Sequence, residues 1–109
     1  MTIRVGVFGA GGKMGTAVCQ AVAADRDLEL VAAVDPHHAG LDLSALAGPS
    51  VGDLRVAGDA AALSQADLVI ESVPEVPEVK TAAYQAMAPL LPAHTLVATN
   101  SSTLLAGDF

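Results

Sequence analysis

Apolar and polar positions along the chain fall into alternating short runs. Residues 3–8, Ile-Arg-Val-Gly-Val-Phe, are mostly apolar and β-branched, with Arg4 near the start, and predict a first strand. Residues 13–24 place Met14, Val18, Ala21 and Val22 at helical spacing, which predicts a helix with those side chains on one face. Residues 28–34 predict a second strand that stops at Asp35-Pro36, because proline cannot extend the ladder. Residues 36–53 hold Pro36, Gly40, Gly48, Pro49 and Gly52 and are the least regular part, with room for a short helix at 41–46. Residues 54–57 predict a short third strand, and Asp59 is placed to cap a short helix through Ser64. Residues 67–73 predict the fourth strand. Pro77 suits the first turn of a helix in which Val79, Ala83, Ala86, Met87 and Leu90 recur at helical spacing. Pro89 or Pro92 ends that helix, and residues 95–99 predict the fifth strand.

The first, fourth and fifth runs are nearly continuous in apolar residues, as strands covered on both faces are. Strands alternating with helical segments imply α/β architecture: a mostly parallel sheet with right-handed crossovers and helices on both faces. The expected strand order is 3-2-1-4-5. The chain shows no internal repeat, and residues 1–109 are read as a single domain.

The link from the first strand to the first helix is Gly9-Ala10-Gly11-Gly12-Lys13-Met14-Gly15. Glycine at 9 permits a tight exit from the strand. Gly11 or Gly12 lets backbone approach a diphosphate with no Cβ in the way, and Gly15 lets the helix pack close to the strand. The helix start would then offer free N–H groups to the anion. The spacing is G-x-x-G-x-x-G, one residue longer than the usual G-x-G-x-x-G fingerprint. Asp35 ends the second strand about 20 residues past the turn, where an acid accepts hydrogen bonds from the adenosine ribose. The cofactor expected is NAD or NADP, with Asp35 favouring NADH because a 2′-phosphate would meet its charge. His37, His38 and Lys13 leave NADPH open.

Composition narrows the partners. The net charge is −7, and the five basic residues, Arg4, Lys13, Arg26, Arg55 and Lys80, are scattered. No basic stripe exists for nucleic acid or an anionic membrane surface. The chain is 52% hydrophobic and only 3% aromatic, so its core must be built from Val, Leu, Ile and Ala. One cysteine, Cys19, forbids an internal disulfide and agrees with a reducing cytoplasm. No signal peptide or membrane span is expected. No Cys or further His stands at ligand spacing beside His37 and His38, so no metal site is expected.

Two resemblances follow from longer stretches. Ile3-Arg-Val-Gly-Val-Phe-Gly-Ala-Gly-Gly-Lys-Met-Gly15 and Leu28-Glu-Leu-Val-Ala-Ala-Val-Asp35 make residues 1–65 resemble the N-terminal domain of the dihydrodipicolinate reductase family. That resemblance implies a Rossmann-like fold in which Gly12, Lys13 and Met14 line the pyrophosphate, within a cofactor-binding turn bounded by Gly9 and Gly15, and Asp35 holds the ribose. Ala66-Asp-Leu-Val-Ile-Glu-Ser-Val-Pro-Glu75 and Ala98-Thr-Asn-Ser-Ser-Thr-Leu-Leu105 make residues 66–109 resemble the 3-hydroxyacyl-CoA dehydrogenase family. By that resemblance Glu75 lies near the nicotinamide ribose, and Asn100 and Ser102 border nicotinamide and substrate. The reductase's Asp-Phe-Thr after strand 4 and Gly-Thr-Thr-Gly after strand 5 are absent. The chain is therefore read as a chimera, built or recombined from two dinucleotide-binding halves.

The function expected is an NAD(P)-binding domain of oxidoreductase type without complete catalytic machinery. The sole catalytic candidate is Ser102, which could polarise a carbonyl but has no partner; His94 precedes strand 5 and is expected in an exposed turn. The reductase family's substrate-binding motifs belong to a C-terminal domain that the chain is expected to lack. An oxidoreductase completed by oligomerisation and a scaffold without ligand affinity are the alternatives. The uncovered strand 5 side is the surface expected for a homodimer.

Overall fold

The computed structural model describes residues 2–74 and 76–99. Five strands, β1 (Ile3–Phe8), β2 (Leu28–Val34), β3 (Val56–Ala57), β4 (Leu68–Glu71) and β5 (Leu96–Thr99), form one sheet in the order β3-β2-β1-β4-β5. Every pairing is parallel. The three α-helices are α1 (Lys13–Ala24), α2 (Leu43–Ala47) and α3 (Pro77–Met87). This is the Rossmann-like α/β arrangement the sequence pattern predicted.

Alternation along β1 divides the core. Val5 and Val7 face α1 and α2, where they pack with Cys19, Val22, Ala33, Leu43, Ala47 and Val56. Phe8 faces the other way, into a layer with Val34, Leu63, Val69, Ala83 and Met87. Each face of the sheet is thus covered by helical segments, which is why β1 and β4 carry almost no polar side chains. β5 differs: Leu96 is 71% exposed, and its apolar run covers an edge rather than a centre.

Several predicted elements shift. β3 shrinks from four residues to Val56–Ala57, because Leu54 and Arg55 leave the ladder to close the excursion: Leu54 accepts from Leu43 N–H, and Arg55 bridges Asp42. β4 ends at Glu71, where that side chain accepts from Val73 N–H and turns the chain out of the sheet. The segment after Asp59 is a 3-10 helix, Ala60–Gln65, with Asp59 accepting from Ala61 N–H as its cap. The short helix lies at Leu43–Ala47 rather than 41–46.

The expected helix faces are also rotated. On α1 the buried stripe is Gly15, Cys19 and Val22, while Met14 is 57% exposed. On α3 the buried stripe is Lys80, Ala83 and Met87; Val79 and Ala86 are exposed on the side that faces a cleft, and Leu90 lies exposed beyond the helix end. In both cases a close backbone approach or a buried ion pair sets the phase, and hydrophobicity alone does not report either.

The register aligns the strand ends. Phe8 stands opposite Val34 on one side and Glu71 on the other, and Glu71 stands opposite Thr99. Consequently Gly9, Asp35 and Ser72 all emerge along one carboxyl edge, at the point where the strand order reverses. Arg4, Asp67 and His94 gather at the opposite edge; the Arg4 guanidinium, 3.3 Å away, holds the Asp67 carboxyl below its ordinary range.

Candidate functional site

A cleft of about 570 Å³ opens over that carboxyl edge, within the size range of small-molecule sites. One wall is the glycine turn with Gly9 and Gly12. A second is the end of β2, from Asp35 to His38. The third is the loop of Ser72, Val73 and Pro74, continued by Val79, Ala82 and Ala86 of α3.

The turn is held by backbone bonds to both neighbouring strands. Gly9 N–H donates to Val34 O at 2.7 Å, and Ser72 N–H donates to Phe8 O at 2.8 Å. Gly9 has φ +89°, and a Cβ there would lie 2.9 Å from the Ser72 carbonyl. A side chain on Gly15 would collide with the Gly9 carbonyl oxygen, so α1 can cross β1 only without one. Gly12 is different in kind. Its φ is −77°, and a Cβ would meet nothing nearer than Gly9 O at 3.7 Å. The fold has no need of glycine at this position, which lines the cleft as the N-cap of α1. No side chain caps that helix, so its first N–H groups keep their partial positive charge for an anion.

Asp35 is buried and ties the end of β2 to the glycine turn. Its Oδ2 accepts from Gly11 N–H and its Oδ1 from His37 N–H, each at 2.9 Å. His37 sits in a 3-10 turn, Pro36–His38, for which Asp35 is the cap. His38 lies against Gly11, with Nδ1 3.2 Å from Asp35 Oδ2 but without the alignment of a hydrogen bond. A carboxylate has about four acceptor positions, so about two remain for further hydrogen-bond donors.

The structure thus brings Gly9, Gly12 and Asp35 together in one cleft. Gly15 stands behind it as the packing residue. Lys13 and Met14 are exposed at the start of α1 and do not line the cleft. Glu75, Asn100 and Ser102 lie outside the described residues. Cys19 faces the core, where burial pushes its thiol up to about 11, so it stays protonated at neutral pH. Among the described residues no helix is long and apolar enough to cross a membrane, and no group of three His, Cys, Asp or Glu is placed to hold a metal.

One feature at the edge escaped the sequence reading. Glu71 and Lys80 are fully buried and paired at 2.6 Å. Glu71 also accepts from Val73 N–H and from Thr99 Oγ1, both at 2.8 Å, and Lys80 Nζ donates to Val73 O at 3.2 Å. Tyr84 lies beside this group; burial first, and the Glu71 charge second, push its phenol above the usual range. The available signal was an acid closing an apolar strand, followed by a lysine in the first turn of the next helix.

Comparison with known proteins agrees with the geometry. The family described as dihydrodipicolinate reductase, N-terminus, matches residues 3–91. The 4-hydroxy-tetrahydrodipicolinate reductase of Anaeromyxobacter sp. is 48% identical over 71 residues, covering 63% of this chain and 26% of that enzyme. Across the first three such reductases the matched segment spans only 14%, 19% and 26% of their length. Among solved structures, a diketoreductase acting on dicarbonyl compounds is 32% identical over 99% of this chain and 45% of its own, with a TM-score of 0.73. The 3-hydroxybutyryl-CoA dehydrogenase of Escherichia coli K12 is 24% identical over 99% of this chain and 26% of its own, also at 0.73, and supports the fold alone. The family match passes residue 65 and takes in β4 and α3; a chimera is compatible with both resemblances, and neither locates a join. The chain belongs to the family of dihydrodipicolinate reductase N-terminal domains.

Proposed function

We propose that this chain binds a nicotinamide dinucleotide across the crevice above β1 and β4, as the cofactor-holding part of an oxidoreductase of the dihydrodipicolinate reductase type. The observation that carries this is Gly12. Its missing side chain serves no packing purpose, yet it borders the cleft at an uncapped helix start. A Cβ and anything beyond it would fill the space in which a diphosphate meets the α1 amides. Asp35 would take the adenosine ribose, and Ser72 and Val73 would border the far half. Lys13, at the helix start, would add charge near the phosphates. When bound, the nicotinamide gives or takes a hydride; the residues on the page hold and orient it.

On this reading the groups that hold a substrate lie outside residues 2–99, and NADH is preferred over NADPH. Support for the preference is the Asp35 carboxylate, which repels a 2′-phosphate; His38, 3.2 Å away, moderates that repulsion when protonated. Glu75 and Asn100 would complete the nicotinamide end. The unit works in the cytoplasm, and the β5 side with exposed Leu96 and Val97 is the surface for a second copy.

Titration with NADH, followed by nicotinamide fluorescence, tests the proposal. Saturable binding by the wild-type chain is expected. The Gly12→Val variant should keep its far-ultraviolet circular dichroism and lose at least tenfold in affinity, a change of about 1.4 kcal/mol or more. Equal affinity in the two proteins would remove the diphosphate from the α1 start.

A further inference from the structure

Two charged groups lie buried beside the cleft without lining it. Glu71 and Lys80 are both fully buried, among residues that are mostly apolar. Removing two charges from water is costly, and a matched apolar pair is often as stable or more so. Stability therefore gives no reason for this pair. Its geometry gives another. Glu71 Oε2 holds Lys80 Nζ at 2.6 Å and Val73 N–H at 2.8 Å, while Oε1 holds Thr99 Oγ1 at 2.8 Å. Lys80 in turn holds Val73 O at 3.2 Å. Both backbone polar groups of Val73 are thus fixed by one buried pair. Val73 is itself a wall residue of the cleft, flanked there by Ser72 and Pro74.

The network ties three elements: the end of β4, the end of β5 and the first turn of α3. These belong to the second mononucleotide half of a Rossmann sheet, across the switch point from Asp35. None of its members lines the cleft except through Val73. We propose that Glu71, Lys80 and Thr99 are positioning residues that fix the Ser72–Pro74 stretch as the seat for the nicotinamide half of the dinucleotide. This rests on the dinucleotide reading above and adds how the half of the site remote from the glycine turn is set. Because the adenosine half is built on Asp35 and α1, the network acts on one end of the ligand and spares the other.

The test compares NADH with ADP, which lacks the nicotinamide ribose and ring. The variants are the apolar pair Glu71→Leu with Lys80→Met, and separately Thr99→Val. The affinity ratio of NADH to ADP should fall by about tenfold in the apolar pair and by a smaller factor in Thr99→Val, with ADP affinity within about twofold of wild type. A purely structural network would lower both affinities together with the thermal midpoint and leave the ratio unchanged, which overturns the proposal. If the apolar pair does not fold, Thr99→Val decides: an unchanged ratio there overturns it equally. Failure of wild-type protein to bind NADH or ADP would instead overturn the dinucleotide reading on which it rests.

Discussion

Gly12 and Gly15 stand three residues apart at the start of α1, yet the chain keeps them for different reasons. Gly15 is required by packing, since its Cβ would occupy the Gly9 carbonyl oxygen. Gly12 is free to carry a side chain, with an ordinary φ and its nearest neighbour at 3.7 Å. Gly15→Ala should therefore lower stability by ~1–3 kcal/mol or more through overpacking. Gly12→Ala should stay within about 1 kcal/mol of wild type, because a poorer N-cap is offset by a stiffer unfolded chain. Urea unfolding of both variants checks the contrast, and similar losses would erase the distinction between fold and site. Asp35 makes its own prediction. If the ribose lies where we propose, the Asp35 charge opposes a 2′-phosphate and favours free ribose hydroxyls. Asp35→Ala should raise the NADPH-to-NADH affinity ratio by roughly tenfold, since one charge-assisted hydrogen bond is worth ~1.5–3 kcal/mol. Competition titration measures it. An unchanged ratio would place the ribose elsewhere, whatever happens to overall affinity when the Asp35 bonds to Gly11 and His37 are lost.

At the scale of elements, the sequence was most legible where one physical demand acts alone. β1, β2 and α1 lie where the apolar runs and the glycine turn put them, because central parallel strands must be apolar and a helix must start where side chains stop. Legibility fell where two demands compete. The buried face of α1 follows Gly15 and Cys19 instead of Met14, because close approach to β1 decides which side faces inward. α3 turns Lys80 inward and Val79 toward the cleft, because an ion pair with Glu71 outweighs the apolar periodicity. A hydrophobic count treats Lys80 as a surface residue, so the pairing across nine positions was hidden. β3 was overextended for a related reason: Arg55 pairs with Asp42 outside the sheet. Of the candidate cleft, Gly9 and Asp35 were legible because turn geometry and a strand end constrain them directly, and Gly12 through its spacing alone, since packing does not require it. His38 against Gly11 was not, since only the fold brings positions 27 residues apart into contact.

For the molecule as a whole, charge frames the binding problem. The chain carries −7 overall, and the cofactor is itself an anion. Attraction cannot come from net charge, so on the proposed reading it is local: the uncapped start of α1 together with Lys13. The acidic groups Asp42, Asp59 and Asp67 lie away from the cleft lining, and Asp35 is the one carboxylate that reaches it among the described residues. Family membership, the switch-point cleft and the spare glycine all support the proposed seating of a diphosphate against bare backbone. Backbone amide shifts during an NADH titration test this most directly. The account predicts that the largest changes fall on Gly11, Gly12, Lys13 and Met14, with smaller ones at Asp35 and Val73. Shifts confined to β5 or to the Arg4–Asp67 edge, with residues 9–15 unmoved at saturation, would contradict it.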